Sequence, residues 1–202
     1  MQTDRKALIR RDLIARRAAV STQERVEWSE RIQARLLTLP LWRQAQRVLA
    51  YCSMPKEVQT SGILEAALRD GKRLFLPRCR PGLAHFETVE VRNLPTDLEP
   101  GPLRNLMQPL ASLPTVSAEN GFDLVLAPGV AFDRQGYRIG FGAGMYDRFF
   151  DANPLPHRLA LAFCFQVVDR IPVAPHDLPV HGILTEEGLI EVPLAATDLS
   201  NA

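Results

Sequence analysis

"RVLAYCSMPKEVQTSGILEAALRDGKRLFLPRC", residues 47–79, holds two short apolar runs on either side of an amphipathic segment. The first run, "RVLAYCSM", and the last, "RLFLPRC", predict β-strands, and the segment between them predicts a helix capped by Thr60 or Ser61. Gly71 follows the last helical turn, where a left-handed residue is favoured. Strand, helix and strand in this order form a βαβ unit, whose strands run parallel and are joined by a right-handed crossover.

Two helices are predicted before this unit. Residues 3–19 place apolar side chains on one side and arginines on the other, which is typical of an amphipathic helix. "STQE", residues 21–24, is a capping box that begins a second helix, and Pro40 ends it. We therefore expect residues 1–40 to form basic N-terminal helices that pack on the α/β core.

The alternation of strands and helices continues towards the C-terminus. Buried strands are predicted at 122–129 and 158–165, with a last strand around 182–185, and a helix is predicted to begin near Gly144. Residues 80–121 contain several prolines and show no clean period. The pattern predicts one three-layer α/β/α domain over the whole chain, with a mostly parallel, Rossmann-like sheet.

Composition and charge narrow the classes of partner. The 202 residues are 46% hydrophobic and carry a formal net charge of +1, so no overall field favours nucleic acid or a membrane surface. Residues 1–47 nevertheless hold eleven Lys or Arg against five Asp or Glu. Such a basic segment is suited to a phosphate, and it is equally explained as the solvated face of two helices.

Cysteine usage favours a reducing compartment. Cys52, Cys79 and Cys164 are an odd number, lie far apart and occupy apolar runs, which indicates reduced core thiols rather than a disulfide framework. The sequence has no C-x-x-C or His-x-x-x-His pair, so we expect no zinc site. No apolar run is long enough for a membrane span, and the N-terminus lacks a hydrophobic signal core. These features predict a cytoplasmic protein.

A glycine-rich stretch follows the strand at 122–129. "RIGFGAGMYDRFF", residues 138–150, sets glycine at every second position directly before the predicted helix. Bare glycines let backbone N–H groups converge on an anion, and the helix start adds partial positive charge. The stretch is neither Gly-x-Gly-x-x-Gly nor a P-loop, and a tight structural turn explains the glycines about as well. Arg138 offers a planar fork for phosphate, and Asp147 is either a favourable first-turn acid or a Mg²⁺ ligand.

The stretch and its neighbours resemble a known family. "APGVAFDRQGYRIGFGAGMYDRFF", residues 127–150, is similar to the signature of the 5-formyltetrahydrofolate cyclo-ligase family. "KALIRRDLIARR", "CSMPKEVQT", "GKRLFLPR" and the tail "PHDLPVHGILTE" resemble other segments of that family in the same order. The resemblance implies ATP- and Mg²⁺-dependent cyclisation of 5-formyltetrahydrofolate to 5,10-methenyltetrahydrofolate, with release of ADP and phosphate.

The resemblance also implies roles for individual residues. The ATP-binding set would be Lys6, Arg10, Arg138, Gly140, Gly142, Gly144 and Tyr146. The folate-binding set would be Cys52, Glu57, Phe141, Ala143 and Met145, with Cys52 as packing and Glu57 as the acceptor for the pterin ring. The metal acids would be Asp147 and Asp177. Lys6 and Arg10 lie one helical turn apart, so both can face the same way, and the other N-terminal arginines are expected to be solvated surface.

Two other functions fit parts of the pattern. A sugar-phosphate-isomerase-like enzyme of this architecture would use the glycine stretch for a substrate phosphate and would need no ATP. A non-catalytic relative would keep the fold and the nucleotide without turnover. The four histidines are not expected to be catalysts, and we expect a monomer that acts on small molecules.

Overall fold

The computed structural model describes residues 2–103, 106–117, 121–153 and 157–193, with side chains from residue 5 onward. Within these residues the chain forms five α-helices: α1 (Gln2–Ala19), α2 (Thr22–Thr38), α3 (Pro40–Gln44), α4 (Ser61–Arg69) and α5 (Met145–Ala152). None of the described helices is both long enough and apolar enough to cross a membrane.

Most strands are short. The described residues form β1 (Arg47–Leu49), β2 (Arg73–Cys79), β3 (Phe86–Val91), β4 (Leu98–Pro100), β5 (Met107–Pro109), β6 (Leu124–Ala127), β7 (Ala131–Asp133), β8 (Arg138–Ile139), β9 (His157–Leu161), β10 (Val167–Val168), β11 (Gly182–Leu184) and β12 (Leu189–Glu191).

A mostly parallel sheet forms the centre of the fold. In the described part of the chain it has seven strands, in the order β12-β11-β9-β6-β1-β2-β3. The five inner strands run parallel, and the edge strands β3 and β12 pair antiparallel with their neighbours. Val48 of β1 lies opposite Leu74 of β2 on one side and Leu124 of β6 on the other. The predicted parallel sheet is confirmed, and β12 is a strand beyond the one expected to be last.

Both faces of this sheet are covered, as a three-layer fold requires. Leu74 and Leu76 of β2 point to a core that α2, α3 and α4 close. Phe75, between them, points to the opposite core, where Phe149 and Phe150 of α5 pack. Alternate residues of one strand thus bury into different layers.

The N-terminal helices have the predicted local signals. Ser21 and Glu24 form the capping box reciprocally, with Ser21 Oγ accepting from Glu24 N and Glu24 Oε2 accepting from Ser21 N. Pro40 both ends α2 and begins α3, because proline is favoured in the first turn of a helix. The expectation that the other arginines are solvated is wrong for Arg17 and Arg25, which are buried.

Thr60 acts on the loop after β1 rather than on the helix that it precedes. It occupies the N-cap position of α4, but its side chain makes no capping hydrogen bond. Thr60 Oγ1 instead donates to Tyr51 O at 2.6 Å and accepts from Ser53 N at 3.1 Å. These bonds fix the backbone where β1, which ends at Leu49, gives way to the loop.

Residues 80–121 contain more structure than their sequence indicates. β3 extends the main sheet, and β4 and β5 form a separate two-stranded ribbon. The buried Arg78 of β2 anchors this segment, because its Nη1 donates to Leu110 O at 2.7 Å and to Leu113 O at 2.8 Å. The glycine-rich stretch 138–150 begins with a strand, since Arg138 and Ile139 pair with β7.

The strand order reverses between β1 and β6. From β1 the chain continues to β2 on one side, and from β6 it continues to β9 on the other. Loops that leave two adjacent parallel strands in opposite directions open a crevice at their carboxyl ends, where α/β folds bind ligands. The loop after β1 and the segment after β6 therefore border the place where a ligand is expected.

Gly136 provides a test of the fold at the turn between β7 and β8. Its φ is +84°, and an added Cβ would lie 2.3 Å from Val180 O. Gly136→Ala should lower the free energy of unfolding by about 3–5 kcal/mol, because left-handed strain and a backbone clash add. Urea denaturation followed by circular dichroism measures this loss.

Gly82→Ala is the matched control. Gly82 has the same φ of +84° with nothing within 4 Å of an added Cβ, so only the backbone strain of about 1–2 kcal/mol applies. Equal losses in the two variants would contradict the packing described at Gly136.

Candidate active site

The glycine stretch forms an exposed turn between β8 and α5. Gly142 and Gly144 have φ of +107° and +61°, and Gly144 is the N-cap of α5. Side chains strain such backbone, so glycine is required at both positions. Gly140, Phe141, Gly142 and Ala143 are exposed, which leaves their backbone open to a ligand beside a helix N-terminus.

Helix α1 lies beneath this turn. Arg10 Nε donates to Gly140 O at 2.8 Å. Lys6, one turn earlier, forms an ion pair with Asp177. Leu13, on the same face, is buried among Val130, Ala131, Ile139 and Ile171. The two cations that the resemblance assigns to ATP are thus held on one side of α1, next to the glycine turn.

Arg138 links the glycine turn to the loop that carries Asp177. Its guanidinium is buried and donates to Asp147 Oδ1 at 2.9 Å and to Leu178 O at 2.7 Å. Leu178 N also donates to Asp147 Oδ1, at 3.3 Å. Burial lowers the pKa of Arg138, and the Asp147 and Asp177 carboxylates and Tyr146 oppose that shift. Arg138 therefore fixes Asp147 and the 177–178 backbone in place.

Asp147 and Asp177 are the acids available to a cation here. Both hydrogen bonds to Asp147 fall on Oδ1. Asp177 Oδ2 accepts from Ala174 N at 2.6 Å and from Lys6. No group of three or more His, Cys, Asp or Glu residues in the described part could hold a metal alone. Two carboxylates suit Mg²⁺, which usually takes its other ligands from substrate phosphates and water.

Glu57 lies in the loop after β1 and is 5% exposed. Its Oε2 accepts from Met54 N at 2.9 Å. Burial raises the pKa of Glu57, and the hydrogen bond from Met54 and the charge of Arg17 oppose the rise. Its Oε1 is buried and accepts no hydrogen bond from the described residues, so it is suited to a ligand that supplies a donor.

Arg17 is the site residue that sequence reasoning missed. Its Nη1 lies 3.9 Å from Glu57 Oε1, and its guanidinium lies 5.4 Å from the centre of the Phe141 ring. The signal was present in the spacing: Lys6, Arg10, Leu13 and Arg17 recur at intervals of four, three and four, which places them on one helix face. That face spans about 16 Å along the helix axis.

The remaining predicted residues form two groups: Met145 and Tyr146 are partly buried, and Phe141 and Ala143 are exposed. The hydroxyl of Tyr146 is buried, and burial together with the nearby Glu57 charge raises its pKa. Met145 packs against Cys79, with the two sulfur atoms 4.0 Å apart. Phe141 and Ala143 are exposed at the turn. His176 is likewise exposed, with Nε2 3.9 Å from Asp177 Oδ1, so the structure places it beside the site.

Most of this chain is similar in sequence to known proteins of one family. The 5-formyltetrahydrofolate cyclo-ligase family model matches residues 2–186. A 5-formyltetrahydrofolate cyclo-ligase of Mus musculus is 30% identical, over 89% of this chain and 92% of the mouse protein. The Saccharomyces cerevisiae enzyme of the same name is 34% identical, over 72% of this chain and 78% of its own.

The chain belongs to the 5-formyltetrahydrofolate cyclo-ligase family. A solved structure of the 5,10-methenyltetrahydrofolate synthetase of Aquifex aeolicus has a TM-score of 0.81 and 30% identity, with 94% of each chain covered. The 5,10-methenyltetrahydrofolate synthetase of Mycoplasma pneumoniae, at 21% identity and a TM-score of 0.70, shares the fold. The family, the ligase class and the fold predicted from the sequence are confirmed.

The reactivity of the Cys52 thiol tests how far the structure shields this part of the site from solvent. Burial raises the pKa of the Cys52 thiol to about 11. At pH 8 only about one thiol in a thousand would then be thiolate, the reactive form. Alkylation of Cys52 by iodoacetamide should therefore be about a hundredfold slower than in urea, and should accelerate roughly tenfold per pH unit up to pH 10. Peptide mass spectrometry resolves the site.

Cys164 is the comparison within the same digest. Burial and the Glu186 carboxylate raise its pKa to about 12, so it should be slower still at pH 8. Rapid modification of Cys52 at pH 8 in the folded protein would contradict the buried, uncharged surroundings described for it.

Proposed function

We propose that this chain converts 5-formyltetrahydrofolate to 5,10-methenyltetrahydrofolate with ATP, releasing ADP and phosphate. The observation that carries the proposal is the single face of α1, which meets Asp177 and the glycine turn at one end and Glu57 at the other. A polyphosphate needs cations and N–H donors, whereas a pterin ring needs a carboxylate that accepts its N–H groups. The face of α1 from Lys6 to Arg17 spans about 16 Å along the helix axis and can border both ligands.

Phosphoryl transfer solves the chemical difficulty of the reaction. The formyl group on N5 is a formamide, whose carbon is a poor electrophile and whose oxygen is a poor leaving group. The formyl oxygen attacks the γ-phosphorus of ATP, an O–P bond forms, and ADP leaves. N10 then attacks the activated carbon, its proton is lost, and the C–O bond breaks to release phosphate. No covalent enzyme nucleophile is required, so positioning and charge neutralisation supply the rate.

The phosphate end of the crevice consists of α1 and the glycine turn. Lys6 and Arg10 supply two cations, and the backbone of the exposed Gly140 and Gly142 and of the half-buried Gly144 supplies N–H donors. Lys6 pairs with Asp177 in this structure, so phosphate binding requires Lys6 to exchange one anionic partner for another. Tyr146 closes the wall behind the turn.

Asp147 and Asp177 are the residues that would hold Mg²⁺. When bound, the ion would neutralise phosphate charge during transfer. Arg138 keeps Asp147 Oδ1 engaged, so the second oxygen of that carboxylate is turned to other partners. The arginine thereby acts as a positioning residue for the acid, and the ATP contact that the resemblance implied for it stays a prediction.

The folate end is formed by the loop after β1 and the apolar rim of the turn. Glu57 accepts N–H groups of the pterin, and Cys52 lines the wall as an uncharged thiol. Phe141, Ala143 and Met145 contact the ring system from the glycine turn. All residues assigned here lie on one chain, so the proposal needs no partner subunit, and three free cysteines suit a cytoplasmic setting.

The direct test mixes the protein with 5-formyltetrahydrofolate, Mg²⁺ and ATP and follows the absorbance of the conjugated methenyl product. Product should form only when ATP is present, with one phosphate released per turnover. ATP binding without product would support a non-catalytic relative. Indifference to ATP would support the isomerase-like alternative.

Asp147→Asn tests the metal role. Asparagine can still accept from Arg138 and Leu178 but lacks the charge, so turnover should fall by about a hundredfold or more while the fold persists. The Mg²⁺ dependence of ATP binding, measured by calorimetry, should weaken in parallel.

Asp151→Asn is the matched control, since Asp151 is an exposed acid on the same helix. It should leave turnover and the Mg²⁺ dependence unchanged. Full activity in Asp147→Asn would remove Asp147 from the metal site.

A further inference from the structure

Arg17 is a buried cation with an unfilled hydrogen-bonding capacity. It is 5% exposed, and its guanidinium makes no hydrogen bond to any residue that the structure describes. Burying a guanidinium nitrogen such as Arg17 Nη1 without an acceptor is costly, because its N–H groups lose their water. Burial lowers the pKa of Arg17, which reports the same cost. A residue held in this state is suited to a ligand that supplies the missing acceptor.

Two other arginines, the buried Arg25 and the half-buried Arg47, show the contrast. Arg25 donates to Thr22 Oγ1 at 3.2 Å and to Val20 O at 3.5 Å. Arg47 donates to Gly121 O at 2.8 Å and stacks on Phe75. Each of these guanidinium groups is anchored to the protein through at least one hydrogen bond. Arg17 instead faces a carboxylate that is too distant for one.

The Glu57 carboxylate, which faces Arg17, also has an oxygen without a hydrogen-bond partner among the described residues. Glu57 Oε1 is buried and accepts no hydrogen bond from the described residues, and it lies 3.9 Å from Arg17 Nη1. The buried Tyr146 hydroxyl, equally without a described partner, is near enough for the Glu57 charge to raise its pKa. A buried donor, Arg17 Nη1, and a buried acceptor, Glu57 Oε1, therefore lie 3.9 Å apart, and neither has a hydrogen-bond partner among the described residues.

We infer that Arg17 is a substrate-binding residue that donates a hydrogen bond to the carbonyl oxygen on the pyrimidinone edge of the pterin. This inference rests on the proposed function. On that edge a carbonyl is adjacent to a ring N–H and an amino group, an acceptor next to two donors. Glu57 accepts from the two donors and Arg17 donates to the carbonyl, so the two side chains together recognise all three groups of this edge. Arg17 then selects 4-oxo pterins over 4-amino pterins, which present a donor there.

Arg17→Met is the test, because methionine keeps much of the buried stem and removes the donors. The probes are 5-formyltetrahydrofolate and its 4-amino counterpart, with Kd measured by calorimetry for each. In Arg17→Met the Kd for the 4-oxo compound should rise about tenfold or more, as expected for loss of a charge-assisted hydrogen bond. The preference for 4-oxo over 4-amino should fall by the same factor.

Control measurements separate specificity from folding. Arg11→Met makes the same change at an exposed position of α1 and should leave both Kd values unchanged. Mg-ATP affinity should stay within about twofold in Arg17→Met, and Arg17→Lys should recover part of the 4-oxo preference because it restores one donor.

The outcomes distinguish this inference from the proposed function. Unchanged 4-oxo binding in Arg17→Met, or equal losses for both compounds, would overturn the role of Arg17 while the cyclo-ligase activity stands. A wild-type protein that neither binds nor converts 5-formyltetrahydrofolate would overturn both.

Discussion

The site depends on one face of helix α1. Lys6, Arg10 and Arg17 recur on that face and meet, in turn, Asp177, the carbonyl of Gly140 and Glu57. The three partners come from separate segments of the chain, so α1 sets the distance between the phosphate end and the folate end. Leu13 buries the same face against the β7–β8 region, and this apolar contact holds the charged residues in register. In the proposed function, this rigid helix fixes the separation of the two reacting molecules.

Buried charge explains why the acids of the site are well placed. Arg138 loses solvent on burial but donates hydrogen bonds to Asp147 and to the Leu178 carbonyl, and this pairing orients the Asp147 carboxylate. Arg17 loses solvent and gains no hydrogen bond from the described residues. The first arrangement orients an acid within the protein, whereas the second leaves donors that a ligand could use. In our proposals, the same residue type is a positioning residue at one end and a recognition residue at the other.

Sequence patterns predicted those parts of the fold that local physics determines. Hydrophobic periodicity together with capping and helix-breaking residues predicted the helix 3–19, the capping box and the strand Arg73–Cys79. The structure has all three nearly as predicted. β4 and β5 were missed because each has three residues including a proline, too few for a clear period. β3 contains no proline and was passed over with the proline-containing segment around it. Site residues came from the family resemblance, and their roles stay predictions. Arg17 was missed because an arginine on an amphipathic helix is usually solvated, and its burial depends on tertiary neighbours such as Glu57 and Phe141 that are distant in the sequence.

Backbone amide hydrogen exchange, with and without saturating Mg-ATP, tests the central claim most directly. The account predicts that exchange of amides in residues 140–147 slows on addition of Mg-ATP, because those N–H groups become donors to phosphate. Residues 73–79, a buried strand of the sheet, should exchange at the same rate in both conditions. Unchanged exchange in residues 140–147 under saturating Mg-ATP would contradict the account.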